Sequence, residues 1–582
     1  MGYRILFANQ KKEIVVEEGT LADACEQAGF PLNLVCGKMG VCGKCAVTVE
    51  RNGMREKVLA CRTVVERDEI VYLEPSDYEH SGNVLTESNQ QEMGECPSVR
   101  KEYRTREELM PEQGGSFLKN VSLPVMRKFA AMRADAGFAG CTFVYFLDKV
   151  IDIQNGDTRK DCYGAAVDIG TTTVAVYLYN LITKERISVR SGMNRQIIHG
   201  ADVIARNQYA QEKEKNLLEL QHLVREAIND LLKESCQFDH NILDNLYHVV
   251  LCGNSTMQHL FYGLNPAALG ASPFANITVQ EVFCSGTEAG LSCAPEGRVE
   301  FLPLLGGFVG ADTAAVLLTL PEDSRNYLMV DLGTNGELAA GNYEQFYVTS
   351  TACGPALEGG NIACGMRGTV GAIEKVSFQD DRISLKVIGN GTPVGLCGSG
   401  VIDAVAELLR IGMIDETGAL LSAEEYKKKY PQSSLSEHLK DAGKHNRAFY
   451  FTEGAKPVYL CQKDIRQIQL AKSSIYSGCL TLLEEAGMKP EQVDALFLAG
   501  AFGNYVDIHQ ALAIGLLPPV PEERILSVGN GAGQGVQSLL MDRSLRKKLK
   551  VLLERCTRVE LADHAGFMDA YINNMNFAFG RE

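Results

Sequence analysis

The sequence predicts a multidomain chain, α+β at its N-terminus and α/β over most of the remainder. Three observations carry this. Four cysteines, spaced C-x5-C-x2-C-x15-C, lie inside a short unit of alternating runs within residues 1–75. A polar stretch without apolar period follows at 76–98. Beyond it, two hairpins of one design, each built on D-x-G-T, begin at Asp168 and Asp331, 163 residues apart. Single cores stop growing near roughly 250–300 residues, so a chain of 582 residues is expected to divide.

The N-terminal unit opens with R-I-L-F-A and E-I-V-V-E, two short β-rich runs joined by N-Q-K-K, a hairpin signal. Thr20 and Asp23 frame the start of a helix, L-A-D-A-C-E-Q-A, with Gly29 at its end. Cys36, Cys42 and Cys45 then fall within ten residues, with glycines between them. C-A-V-T-V-E, V-L-A-C and E-I-V-Y-L-E return as strands, and Cys61 closes the set from a separate segment. Two strands, a helix, a cysteine loop and further strands make the β-grasp arrangement of [2Fe–2S] ferredoxins. Thiolates around inorganic sulfide need close backbone N–H donors, which a glycine-rich loop supplies. Plant-type ferredoxins use C-x4-C-x2-C, one residue shorter in the first gap. Structural zinc, which more commonly shows two separate C-x2-C pairs, and unliganded thiols are the alternatives.

Residues 76–98 read as a linker and 99–160 as a small middle domain. In the latter, R-T-R-E-E-L-M and L-P-V-M-R-K-F-A-A-M-R-A are helix candidates and T-F-V-Y-F-L is a strand. From 161 to 582 the chain reads as a duplicated domain with subdomains at about 161–325 and 326–582. G-A-A-V-D-I-G-T-T-T-V-A-V-Y places Asp168, Gly170, Thr171 and Thr172 in a tight turn between apolar strands. Y-L-M-V-D-L-G-T-N-G-E-L-A-A does the same with Asp331, Gly333, Thr334 and Asn335. Such turns offer backbone N–H groups and hydroxyls to phosphates, and their aspartates hold Mg²⁺, usually through water. A-L-F-L-A-G-A-F-G-N-Y, with Gly500 and Gly503, is shaped for close approach of adenosine. No G-x-x-x-x-G-K-[ST] occurs, which excludes a P-loop.

Other small-residue turns are candidates for either site lining or tight packing: C-G-N-S-T-M, L-L-G-G-F-V-G-A-D-T, C-G-P-A-L-E-G-G, L-C-G-S-G and S-V-G-N-G-A-G-Q-G. Among them Glu358 is the candidate for positioning water or metal. The helix D-I-R-Q-I-Q-L-A-K carries Asp464, Arg466 and Lys472, read either as reaching the nucleotide cleft or as lying on a solvated face.

Composition excludes several classes. A net charge of −16 argues against a nucleic-acid binder, which needs a basic face. No stretch reaches the roughly 18 apolar residues of a membrane span, and the N-terminus has no apolar export signal. The expected setting is cytoplasmic. Cys252, Cys353, Cys397 and Cys479 sit among small or apolar residues and read as reduced core thiols.

The two D-x-G-T turns and A-G-A-F-G resemble those of the acetate and sugar kinase/heat-shock chaperone/actin (ASKHA) ATPases. With the cysteine spacing, D-I-R-Q-I-Q-L-A-K, S-V-G-N-G-A-G-Q-G and the order ferredoxin, linker, middle segment, ATPase, the whole chain resembles the reductive activators of corrinoid proteins. The resemblance implies a [2Fe–2S] cluster on Cys36, Cys42, Cys45 and Cys61, and ATP with Mg²⁺ between the two hairpins. It implies a corrinoid protein as partner, an external low-potential electron donor, and a homodimer built through the ATPase domain. The implied reaction is ATP-dependent transfer of one electron to Co(II), regenerating Co(I) for a methyltransferase system. An activator of another low-potential metalloenzyme and a redox-regulated small-molecule kinase are the competing readings; the kinase predicts phosphoryl transfer to an acceptor. Asp507-Ile508-His509 begins a cobamide-binding D-x-H-x-x-G, but Leu512 stands where glycine belongs, so the chain is not expected to hold the corrinoid itself.

Overall fold

The computed structural model describes residues 2–16, 19–28, 30, 32, 45–51, 54–73, 96–109, 118, 121–443, 446–500 and 505–577. Cys36, Cys42, Gly503 and most of the 76–98 linker lie outside the described residues.

The N-terminal unit is a β-grasp. Strands β1 (Tyr3–Phe7), β2 (Lys12–Val16), β3 (Ala46–Arg51), β4 (Met54–Leu59) and β5 (Glu69–Tyr72) form one sheet in the order β2-β1-β5-β3-β4. β1 runs parallel to β5, and the other pairs are antiparallel. Helix α1 (Leu21–Gln27) starts where the sequence places it. Thr20 donates its N–H to the Asp23 carboxylate at 2.7 Å, and the Thr20 hydroxyl accepts from Asp23 N at 3.4 Å. Ile5, Phe7, Leu21, Val47, Val49 and Val71 fill the core.

Residues 99–155 carry three antiparallel strands, β6 (Val99–Thr105), β7 (Gly140–Phe146) and β8 (Lys149–Asn155), and helix α2 (Leu123–Ala134). R-T-R-E-E-L-M is helical only in part: Arg104 and Thr105 end a strand, Arg106–Leu109 form a short helix, and Met110 lies outside the described residues. The charged run hides the strand because its arginines cover rings. Arg100 and Arg104 lie over Tyr145 and Phe143, at 3.9 and 5.3 Å from the ring centroids. One face packs Val125, Phe129, Phe143 and Ile153 together. Through Val99, Val144, Phe146 and Ile151 the unit also joins the large core of the following half.

That half contains β9 (Tyr163–Ile169), β10 (Thr173–Asn180), β11 (Arg186–Met193), helices α3 (Val203–Glu212) and α4 (Glu214–Ser235), β12 (Leu246–Gly253), α5 (Ser255–Tyr262), β13 (Val282–Ser285), β14 (Arg298–Phe301) and α6 (Ala311–Thr319). Its sheet order is β11-β10-β9-β12-β14-β13. The next half has β15 (Tyr327–Leu332), β16 (Gly336–Asn342), β17 (Gln345–Thr351), helices α7 (Gly398–Arg410) and α8 (Gln462–Glu485), β18 (Ala495–Ala499), β19 (Ile525–Gly529), α9 (Gly531–Met541) and β20 (Cys556–Arg558), with order β19-β18-β15-β16-β17-β20. The plans correspond. Each has an antiparallel three-strand meander whose first strand, β9 or β15, pairs on its other side with a parallel strand. Both first strands are buried, so they read as continuous apolar runs ending in aspartate. One helix crosses over: α9 follows β19 in sequence, yet Ala532, Val536, Leu539 and Leu540 pack into the core of the first half.

Candidate functional site: a two-hairpin cleft and a thiol pair

Gly170 N donates to Thr173 O at 2.9 Å, closing the β9–β10 turn, and Gly333 N donates to Asn335 O at 3.0 Å, closing the β15–β16 turn. The turns face each other. The hydroxyls of Thr172 and Thr334 stand 3.4 Å apart, and the Thr334 hydroxyl donates to Glu358 Oε2 at 3.3 Å. Asp168, Gly170, Thr171, Thr172, Asp331, Gly333, Thr334, Asn335 and Glu358 therefore line or flank one cleft.

Residues distant in sequence complete it. Asn254, capping α5, donates to the Thr171 hydroxyl at 3.0 Å. Asn530, capping α9, donates to Asp168 Oδ2 at 2.8 Å. Asp312 lies in the first turn of α6. The loop ahead of it passes so close to the β12–α5 turn that a Cβ on Gly310 would lie 2.4 Å from Asn254 Cα. Glu337 accepts from the Ser350 hydroxyl at 3.0 Å, while its other oxygen is buried without a partner. Asp312 belongs to L-L-G-G-F-V-G-A-D-T, one of the turns read as either site lining or tight packing, whereas Glu337, at the N-G-E end of the second turn, carries no sequence prediction. Gly500 sits at φ +112°, beside this hairpin: a Cβ there would fall 2.2 Å from Leu332 O.

The electrostatics of the cleft are one-sided. Burial raises the carboxyls of Asp168, Asp312, Asp331, Glu337 and Glu358 above the ordinary range. Asp331 is pushed up to about 8, by burial first and then by Asp312 and Asp168. Asn530 and Cys252 oppose the rise at Asp168; Arg367 and the two threonines oppose it at Glu358. No lysine or arginine among the described residues forms an ion pair with Asp168, Asp312, Asp331 or Glu337. Among the described residues no three His, Cys, Asp or Glu side chains are grouped to hold a metal by themselves, so these acids suit a hard divalent ion only together with water or phosphate oxygens. The thiols nearby are inert: Cys252 lies 3.6 Å from Asp168 Oδ1, Cys353 contacts the Gly333 and Thr334 carbonyls, and burial raises both.

Asp464 and Lys472 are buried and fit neither expectation made for them, whereas Arg466 is exposed, as the solvated-face reading has it. Asp464 accepts from Ala363 N and from Cys461 N, fastening its own helix start. Arg466 donates to Thr417 O, and Lys472 is fully buried and donates to Asn576 O. The polar row of α8 therefore holds the C-terminal segment. Asp507 caps a short helix and pairs with Lys375 at 2.9 Å, and His509 is largely exposed.

In the N-terminal unit, the Sγ atoms of Cys45 and Cys61 are buried and 3.1 Å apart. The first enters β3 and the second follows β4, so the β3–β4 hairpin brings them together. Two thiols held side by side without a bond suit metal or cluster ligation. With Cys36 and Cys42 outside the described residues, this pair is the portion of the ligand set that can be placed.

These features define a class: an ATP-coupled reductase or activase that joins an iron–sulfur ferredoxin domain to an ASKHA ATPase fold. Comparison with known proteins gives the family. Residues 6–66 match the 2Fe-2S iron–sulfur cluster binding domain, residues 163–322 the RACo middle region, and residues 325–580 the C-terminal domain of RACo, the ASKHA domain. The chain is 38% identical over 602 residues to the corrinoid activation enzyme RamQ of Eubacterium limosum, covering 99% of each. It is 25% identical over 439 residues to the [Co(II) methylated amine-specific corrinoid protein] reductase of Methanosarcina barkeri, covering 69% of this chain and 73% of that one. The solved structure of a reductive activator for corrinoid, iron–sulfur protein superposes with a TM-score of 0.72 at 27% identity, covering 99% of this chain and 98% of the other. The chain belongs to the family of reductive activators of corrinoid proteins.

Proposed function

We infer that this protein uses ATP to pass one electron to the Co(II) of a corrinoid protein, regenerating Co(I) for a methyltransferase system. The observation that carries the reading is the facing of the two hairpins, Thr172 against Thr334 at 3.4 Å, in one chain with a buried thiol pair. When bound on Cys36, Cys42, Cys45 and Cys61, a [2Fe–2S] cluster supplies the one-electron store. The ATPase half supplies the drive. A ferredoxin-type potential is near about −400 mV, and each 59 mV of one-electron deficit costs about 1.4 kcal/mol. Co(I) is a stronger reductant, so the transfer runs uphill unless the nucleotide changes the affinity for the partner or the cobalt coordination.

In this reading, Gly170, Thr171, Thr172, Gly333, Thr334 and Asn335 hold the phosphates, while Gly500 and Gly503 make room for adenosine. Asp168, Asp331 and Asp312 hold Mg²⁺, which neutralises phosphate charge. Glu358, hydrogen-bonded to Thr334, orients water. Asn530 fixes Asp168, and Asn254 fixes the Thr171 hydroxyl. The working form is a cytoplasmic homodimer refilled by an external low-potential donor.

The test is anaerobic. Reduced protein, ATP–Mg²⁺ and a Co(II) corrinoid protein encoded alongside it are mixed, and the Co(I) absorption is followed. Co(I) should appear with ATP and not without it. Its absence with cognate corrinoid protein, cluster and ATP all present sinks the reading.

A further inference from the structure

The short 3-10 helix Arg195–His199 faces two ways. Outward, Ile198 packs against the core of the N-terminal β-grasp unit. Inward, the helix is stitched to the first hairpin. Asn194, its cap, donates from its backbone N–H to Thr172 O and from its side chain to Gly170 O, both at 2.9 Å. Arg206, on α3, donates to Thr171 O, to Gly200 O at 2.9 Å and to Gln196 Oε1 at 3.3 Å. Each of the three carbonyls of the Gly170–Thr172 turn thus accepts from Asn194 or Arg206. The same two residues fix both ends of the 3-10 helix that touches the cluster domain.

Arg206 is fully buried, yet all its oxygen acceptors are neutral. Asp202, the nearby carboxylate, is spent capping α3, where it accepts from Ala205 N at 2.8 Å. Burial accordingly pulls the guanidinium down to about 9. A buried cation without a counter-charge is unfavourable, and a phosphate bound at the Thr171 turn would bring that charge to its door.

Building on the ATP reading above, we propose that Arg195–His199 is the seat of the cluster domain and that Arg206 is the positioning residue which tightens this seat when nucleotide occupies the first hairpin. The occupant is the chain's own β-grasp unit, held through Ile198. Nucleotide anion compensates Arg206, the guanidinium draws Gln196 and Gly200 in, and the seat becomes more ordered. The position of the cluster is then set by the same turn that reads the phosphates.

Hydrogen exchange followed by mass spectrometry tests this on the full-length, cluster-loaded protein, with a non-hydrolysable ATP analogue and Mg²⁺ as the probe. Analogue should slow exchange at 195–200 on the order of tenfold, together with exchange in residues 2–16 or 54–73. Ile198→Asp should abolish the response of the β-grasp segments while analogue affinity by calorimetry stays within about twofold of the parent. Arg206→Gln should still bind analogue but lose the slowing at 195–200, and Arg206→Lys, which keeps the charge, should restore part of it. If Arg206→Gln does not fold, Gln196→Leu removes the side-chain acceptor and should weaken the same response. Analogue that binds the parent without changing exchange at 195–200 overturns the proposal and leaves the ATP reading standing. Failure of the parent to bind analogue overturns both.

Discussion

Asp331→Asn should stabilise the nucleotide-free ATPase domain more at pH 8.5 than at pH 6, while removing ATP-dependent turnover. The sign follows from linkage. Burial beside Asp312 and Asp168 raises the Asp331 carboxyl from its ordinary 3.8 to about 8. Between those values the folded state keeps a proton that the unfolded state has released. Stability therefore falls as pH rises through that window. At roughly 1.4 kcal/mol per pH unit the ceiling is about 6 kcal/mol. Neighbouring acids share the protons and water reaches the cleft mouth, which brings the expectation to about 1–3 kcal/mol. At pH 6 the unfolded state has already released this proton, so about half of the effect should be present; the difference should vanish only at about pH 4, where both states keep the proton and asparagine is nearly isosteric. For domains of this size, each kcal/mol moves Tm by about 2–4 °C. The protein has no tryptophan, so scanning calorimetry at the two pH values is the suitable assay. A Tm for Asp331→Asn below the parent at pH 8.5, or an equal shift at both pH values, refutes the reasoning. Mg²⁺ with ATP should reverse the ranking, because it stabilises the parent and not the variant.

Three further outcomes are expected. Gly500→Ala places a Cβ 2.2 Å from Leu332 O at φ +112°, and overpacking with left-handed strain should cost about 2–5 kcal/mol and weaken ATP binding, checked by calorimetry. Cys61→Ser should abolish the visible absorption and EPR signal of the cluster while ATP binding stays within about twofold, since the two sites lie in separate cores. Arg546→Met strips the buried Glu300 of a guanidinium bonded at 2.6 Å to both its oxygens; leaving that charge to His248 alone should cost about 3–5 kcal/mol of thermal stability.

Much of the fold was legible in the sequence, because both hairpins rest on buried strands, where apolar runs and a terminal D-x-G-T stay contiguous. The cysteine spacing was legible for a similar reason: Cys45 and Cys61 meet across one hairpin. What the sequence concealed depends on contacts between distant segments. Asn530 reaches Asp168 across 362 positions and Asn254 reaches Thr171 across 83, and no local pattern records such pairs. Glu337 hid behind strand alternation, since a buried acid in β16 looks like an ordinary polar position. Lys472 misled in the opposite direction. A lysine near a glycine-rich ATPase motif invites a phosphate, yet it is committed to the carbonyl of Asn576. Strand β6 escaped because arginines stacked on aromatic rings look, in sequence, like an exposed helix.

The crossing of α9 has a consequence for how the protein is made. Val536, Leu539, Leu540 and Met541 complete a core whose strands are encoded between 163 and 301, and Gln537 supplies the acceptor for the Tyr179 hydroxyl at 2.7 Å. A ribosome adding roughly 5–20 residues per second takes on the order of 10–40 s to travel from the end of the first half to α9. Throughout that interval the first half presents an uncovered apolar face. The nucleotide domain can close its core only after most of the chain has emerged, whereas the β-grasp unit, complete by residue 73, can fold and receive iron and sulfide while translation continues. Synthesis order alone then favours loading the cluster before the ATPase exists.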